Sequence, residues 1–153
     1  MTPSPPESHQ RIAMNLSGTL WQYLTARPIG RTYAAPFHVV LSQTDVVQPD
    51  LLFVSSAKTS ILTARNVQGA PDLIVEILSD TTRKTDEIIK RKLYERFGVQ
   101  EYLIVDPELE TIKVYRITGQ GYRRLAELSR EAADTLTTPL LPDLRLPLSK
   151  IFE

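Results

Sequence analysis

The stretch Pro71-Asp72-Leu73-Ile74-Val75-Glu76-Ile77-Leu78-Ser79 decides the fold. Its apolar positions, Leu73, Ile74, Val75, Ile77 and Leu78, do not alternate with polar ones, the pattern of a central strand covered on both faces. Glu76 stands in the middle of that run. A carboxylate there is costly unless it is paired, protonated or bound to a metal. Two readings of Glu76 remain open at this point: a structural ion pair with a nearby Lys or Arg, or a functional carboxylate.

Downstream, the spacing predicts a helix from about Lys84 to Phe97, stopped by Gly98. EYLIVDP (101–107) is the next strand, and the order strand, helix, strand implies a crossover. TIKVYRI (111–117) follows a short turn as a hairpin arm, and GYRRLAEL (121–128) reads as one more strand. The Pro-punctuated tail 136–152 is too broken for a long helix and is expected to wrap the sheet edge. Upstream, Ser8 is the expected N-cap of a helix reaching about Ala26, with Ile12, Leu16, Leu20 and Leu24 at helical spacing. From Tyr33 to Ser55 the pattern turns to β and reads as a hairpin whose second arm carries Pro49-Asp50. Residues 56–70 show no clean period and read as a loop with at most a helical turn.

A chain of 153 residues, 42% hydrophobic and 24% charged, is the size of one domain with one core, and a single α/β domain over residues 1–153 is expected. The absence of cysteine excludes disulfides, thiolate zinc sites and a cysteine nucleophile, and two histidines are too few for a histidine-rich metal site. Any metal must therefore sit on oxygen ligands. No apolar run approaches a membrane span and the N-terminus lacks a hydrophobic secretory segment, so a cytoplasmic protein without membrane contact is expected. A formal net charge of zero gives no global field for nucleic acid, so any DNA contact must use a local patch.

Asp50 alone would be an ordinary turn carboxylate, and a second Pro-Asp pair, Pro71-Asp72, opens the Glu76 strand. Carboxylates from adjacent strands that converge supply the hard oxygen ligands of Mg²⁺, and Asp50 and Glu76 can meet that need. On a helical wheel, Ile89, Leu93, Phe97, Lys90 and Tyr94 all fall within a quarter turn of Asp86. Asp86, Lys90 and Tyr94 thus share the apolar face that packs on the sheet. Lys90 is either a surface helix partner of Asp86 or an ammonium that orients the attacking water and offsets charge in the transition state. Tyr94 is a hydrogen-bond donor near the site or part of the core. Arg83, Lys84 and Arg91 belong to a locally basic segment, 83–96, able to meet a phosphate backbone. His9 and His38 read as structural.

Taken in order, HQ (9–10), QPDLLFV (48–54), GAPDLIVEILSDTT (69–82), Asp86-x-x-x-Lys90-x-x-x-Tyr94, FGVQEYLIVDP (97–107) and LPDLRLPLSKIF (141–152) resemble the Uma-type putative restriction endonucleases, a bacterial branch of the PD-(D/E)XK superfamily. The resemblance spans about His9 to Phe152. It implies a restriction-endonuclease-like mixed central sheet flanked by helices, with added C-terminal hairpin strands. It implies further that Asp50 is the PD aspartate, Glu76 the acidic residue of the (D/E)XK element and Lys90 a lysine moved onto the next helix, with Asp72 and Asp86 as secondary site residues. Two residues after Glu76, where the superfamily's lysine normally stands, this chain has Leu78. Chains of this kind usually carry a further N-terminal segment. An exposed edge left by its absence would be covered by pairing of subunits, so a homodimer is expected.

The function expected is Mg²⁺- or Mn²⁺-dependent phosphodiester hydrolysis of DNA. The alternative is a catalytically inactive interaction domain on the same fold, or a subunit that works only with a partner. A DNA-reading transcription factor would show a helix-turn-helix or zinc-finger signal, and none is present.

Overall fold

Ile12, Leu16, Leu20 and Leu24 repeat every four residues, and all four are buried along the 20-residue helix α1, Glu7–Ala26. The expected Ser8 cap is not used. The helix starts two residues earlier, behind an extended Pro6, with no side-chain cap and with the carboxylate of Glu7 in its first turn, where the helix dipole favours it. The computed structural model describes residues 4–153. After α1 come the strands β1 (Gly30–Ala34), β2 (Val39–Val40), β3 (Val46–Val47) and β4 (Leu51–Ser55), a 3-10 turn at Ser56–Ile61, and the strands β5 (Val67–Gln68) and β6 (Leu73–Ile77). A π-helical turn, Thr85–Lys90, runs into helix α2 (Arg91–Arg96). β7 (Glu101–Asp106), β8 (Thr111–Thr118), β9 (Gly121–Ser129), β10 (Thr135–Thr138), β11 (Leu141–Pro147) and helix α3 (Leu148–Ile151) complete the chain.

Six strands form the main sheet in the order β1-β4-β6-β7-β8-β9. Within this sheet only the β6–β7 pairing is parallel, across the helical crossover read from the sequence, and β7, β8 and β9 continue as an antiparallel meander. Every residue of β6 and of β7 is buried, as their non-alternating apolar content predicts, Glu76, Glu101 and Asp106 included. The expected hairpin between residues 33 and 55 is smaller than its sequence suggests. β2 and β3 do pair, over two residues each, but β4 leaves them and pairs with β1 on one side and β6 on the other. β1, GRTYA, has too little apolar content to be read as a strand.

Alternation along the central strands divides the core into two layers. Leu51, Phe53, Leu73, Val75 and Ile77 face α1 and the C-terminal segment, whereas Leu52, Val54, Ile74, Tyr102 and Ile104 face the crossover helix. The tail does not wrap an edge. β10 and β11 pair as a hairpin whose Leu136, Leu141 and Leu146 join α1 on the same sheet face. Arg11 and Asn15 of α1 bind carbonyls of Ile151, Phe152 and Glu153, which fastens the chain end to the first helix.

Gly30 marks where β1 crosses close to β4. A Cβ there would lie 2.5 Å from both the Phe53 ring and the Val54 carbonyl oxygen. Gly30→Ala is expected to destabilise the domain by about 1–3 kcal/mol, the range for overpacking, read as a lower urea midpoint with an unchanged slope.

Candidate functional site

Register brings the two carboxylates together. Leu51 of β4 lies opposite Val75 of β6, so the next residue outward on β4, Asp50, reaches Glu76. The backbone N–H of Asp50 donates to Glu76 Oε1 at 3.2 Å, and the N–H of Ile77 donates to Asp50 Oδ2 at 2.7 Å. Alternation sends Glu76 to the helix side of the sheet, where its side chain is 2% exposed. There Lys90 Nζ lies 2.9 Å from Oε2, and the Tyr94 hydroxyl donates to the same oxygen at 2.9 Å. Lys90 also lies 3.1 Å from Asp86 Oδ1, on the preceding turn.

The π-helical turn explains the inward line Asp86, Lys90, Tyr94. Hydrogen bonds from i to i+5 widen the turn and lower the rotation per residue, which brings residues four apart closer to one line. The same widening overturns one expectation from the wheel: Ile89, which a constant α-helical rotation places inward, is 64% exposed. Glu87, Arg91 and Glu95 form the next line and reach the sheet through Lys113, Tyr115 and the Tyr122 N–H.

His9, structural on its sequence context alone, stands at the site. Its Nε2 is 3.2 Å from Asp50 Oδ1. The spacing that could have placed it there is in the sequence, since His9 lies three residues before Ile12 and seven before Leu16, on the buried face of α1. His38 pairs with Gln48, which lines the same cleft as Asp50 and Glu76.

The remaining residues of interest divide. Asp72 lies at the other end of β6, four residues or about 13 Å from Glu76, where its Oδ2 accepts the Ser55 N–H at 2.7 Å. The fold does not bring it to the pair. Arg83 sits near the cleft but is clamped by Asp106 at 2.7 Å and approached by Glu108 at 3.6 Å. Arg91 lies over the Tyr115 ring, and Lys84 is exposed.

Asp50, Glu76, Asp86, Lys90 and His9 line one open cleft of about 660 Å³. Its charges are unbalanced, with four carboxylates, Asp50, Glu76, Asp80 and Asp86, around one ammonium. Burial, with Asp86 and Asp50 nearby, pushes the Glu76 carboxyl up to about 7, although Lys90 pulls the other way. Burial also raises Asp86. Burial would lower Lys90, but Glu76 and Asp86 outweigh it and hold the ammonium charged. The hydrogen bond to Asp50 raises His9 against the opposing effect of burial.

Each of the central carboxylates is anchored through one oxygen and held weakly through the other. Asp50 Oδ2 and Glu76 Oε2 have the short contacts, 2.7 Å and 2.9 Å. Oδ1 and Oε1 have one partner each, at 3.2 Å. Among the described residues no three His, Asp or Glu side chains form a ready metal cage. A cation held by Asp50 and Glu76 would therefore complete its shell with water and substrate oxygens, the mode that Mg²⁺ takes. Two hard oxygen donors beside excess negative charge fit such an ion.

A mixed sheet with this crossover and this hairpin tail defines a restriction-endonuclease-like α/β protein. The chain belongs to the Uma2 family, described as "Putative restriction endonuclease", whose model matches residues 1–149. Its fold is similar to that of a putative nuclease of the DUF820 group from Anabaena variabilis, with a TM-score of 0.80, 18% identity, and coverage of 99% of this chain and 84% of that one. It is also similar to part of the type IIG restriction endonuclease BpuSI, with a TM-score of 0.51, 10% identity, and coverage of 99% of this chain and 16% of that one. Among curated proteins none matches the chain. No helix among the described residues is long and apolar enough to cross a membrane.

The raised Glu76 carboxyl links this site to stability. Unfolded, it loses its proton near 4.5, and folded near 7, so between these values the folded chain holds more protons and stability falls as pH rises. In the presence of a chelator, the melting temperature of the wild type is expected to drop between about pH 5 and pH 8 by more than that of Glu76→Gln, which keeps the shape but not the titration. Parallel curves for the two proteins would show that Glu76 is already ionised well below pH 7.

Proposed function

We propose that this chain is a divalent-cation-dependent hydrolase of DNA phosphodiester bonds. The observation that carries the reading is the pinned ammonium: Lys90 lies 2.9 Å from Glu76 and 3.1 Å from Asp86, at the wall of the cleft that Asp50 also lines. Support comes from membership of a restriction-endonuclease family.

In this reading Asp50 and Glu76 would hold Mg²⁺ or Mn²⁺, each having one oxygen with a single 3.2 Å contact. When bound, the ion polarises the scissile phosphate and lowers the pKa of a water. Lys90, fixed by two carboxylates, directs that water and meets the charge that builds on the phosphate oxygens during in-line attack. Tyr94 donates to Glu76 Oε2 and so keeps the other oxygen turned toward the cleft. Asp86 positions Lys90. His9 and the Ile77 N–H fix the orientation of Asp50. Of the three basic residues expected to meet the phosphate backbone, Lys84 is exposed, whereas Arg83 is engaged by Asp106 and Arg91 lies over the Tyr115 ring.

One observation favours the non-catalytic alternative. Every oxygen of Asp50 and Glu76 already has a protein partner, as in a closed structural ion-pair network. Plasmid cleavage separates the two readings. With Mn²⁺, wild type is expected to cut, and Glu76→Gln and Lys90→Ala to cut at least about 100-fold more slowly, the scale of a lost transition-state contact. Calorimetry adds the cation: Lys90→Ala should still bind Mn²⁺, and Asp50→Asn should not. Wild type that neither binds Mn²⁺ nor cuts DNA would establish the closed network as structural.

A further inference from the structure

The crossover helix hides one line of residues, presses a second on the sheet and leaves an outer face that the chemistry above does not use. On that face Ile88 and Ile89 are 49% and 64% exposed. Lys84 and Lys92, also exposed, stand four residues before and four after Ile88, so the apolar pair is bracketed by two ammonium groups. Among the described residues neither lysine has a carboxylate partner, while Glu87, the nearest acid on the flank of the helix, is neutralised by Lys113 at 3.0 Å. The face thus carries two exposed ammonium groups beside the apolar pair, with the exposed Asp80 four residues before Lys84.

Its place matters as much as its charge. Ile89 adjoins Lys90, which lines the cleft, and it is the residue that the π-helical turn rotates outward. The same turn that aims Lys90 at Glu76 thus leaves its chain neighbour Ile89 exposed, one residue along the helix from the cleft wall. A polyanion drawn to Lys84 and Lys92 would bring its bases against the two isoleucines. Stacked bases of an intact duplex offer them little, because base faces are covered by neighbouring bases. Unstacked bases offer apolar surface, which inserted Ile, Leu or Phe side chains exploit in proteins that open or kink DNA.

We propose that Ile88 and Ile89, flanked by Lys84 and Lys92, form a wedge for unstacked bases, so that the cleft takes locally opened DNA in preference to intact duplex. The inference rests on the reading of the cleft as a phosphodiester hydrolase and adds its substrate preference.

Binding is measured by fluorescence anisotropy with Ca²⁺ in place of Mg²⁺, on a labelled duplex and on the same duplex carrying a short mismatched bubble. Wild type is expected to favour the bubble by about tenfold, on the scale of one unstacked step. Ile88→Ser/Ile89→Ser, a change on the surface, should bind both DNAs alike, with duplex affinity retained. Lys84→Gln/Lys92→Gln should weaken both and flatten the salt dependence. A 2-aminopurine in the bubble should change fluorescence with wild type and not with the serine variant. Equal binding of the two DNAs by wild type, or a preference that survives in the serine variant, overturns the wedge alone if cleavage is intact. If gel filtration shows the serine variant losing self-association with its DNA preference unchanged, the face joins two copies instead and the proposal fails. Wild type that binds neither DNA and cuts neither would overturn the nuclease reading and the wedge together.

Discussion

A carboxylate buried at the centre of a sheet has to be answered by its surroundings, and much of this molecule is arranged to answer Glu76. Burial of an unpaired charge costs far more than the few kcal/mol by which a small domain is stable. Three donors from three separate elements converge on Glu76: the Asp50 N–H at the head of β4, the Lys90 ammonium from the π-helical turn, and the Tyr94 hydroxyl from α2. Each imposes a requirement on its own element. β4 must pair with β6 in the register that sets Leu51 opposite Val75, and the crossover helix must widen so that Lys90 and Tyr94 face one point. A slip of one residue in β4 would turn Asp50 to the other face and leave Glu76 Oε1 without a donor.

The parts of the fold set by local pattern were legible in the sequence. The non-alternating apolar content of β6 and β7 marks them as central, and the repeat of Ile12, Leu16, Leu20 and Leu24 marks the buried face of α1. β1 was not legible, because GRTYA owes its strand to a neighbour, β4, rather than to its own residues. The tail was legible as broken by proline but not as a second layer, because its leucines are buried only when the hairpin folds onto the face that α1 shares.

The candidate site shows the same division. Glu76 stands out by burial alone, and Lys90 by helical spacing. A constant rotation per residue cannot represent a π turn, so the wheel that places Lys90 inward misplaces Ile89, its neighbour. His9 escapes notice because a lone histidine on a helix face carries no chemical signature until a carboxylate is set 3.2 Å from it. Asp72 repeats the local Pro-Asp motif of Asp50 yet lies at the opposite end of the strand, where it serves a backbone N–H. Motif and position are separate properties, and only position makes chemistry.

Under the proposed function, protons and a divalent cation would compete here for the same carboxylates. Four carboxylates line the cleft around one fixed ammonium, and burial, with Asp86 and Asp50 nearby, keeps the proton on Glu76 up to about 7. A divalent ion would supply the missing charge and lower that value, so it would be bound more tightly where the proton has already left. The anchoring pattern suits such an exchange. The short contacts of Oδ2 and Oε2 keep both side chains in place, while Oδ1 and Oε1 give up only one 3.2 Å contact each. A network built for stability alone would gain by shortening those two contacts or by replacing one carboxylate with an apolar residue. Two weakly held oxygens at the wall of an open cleft are what the proposed function requires, since a bound cation and phosphate would replace those two contacts.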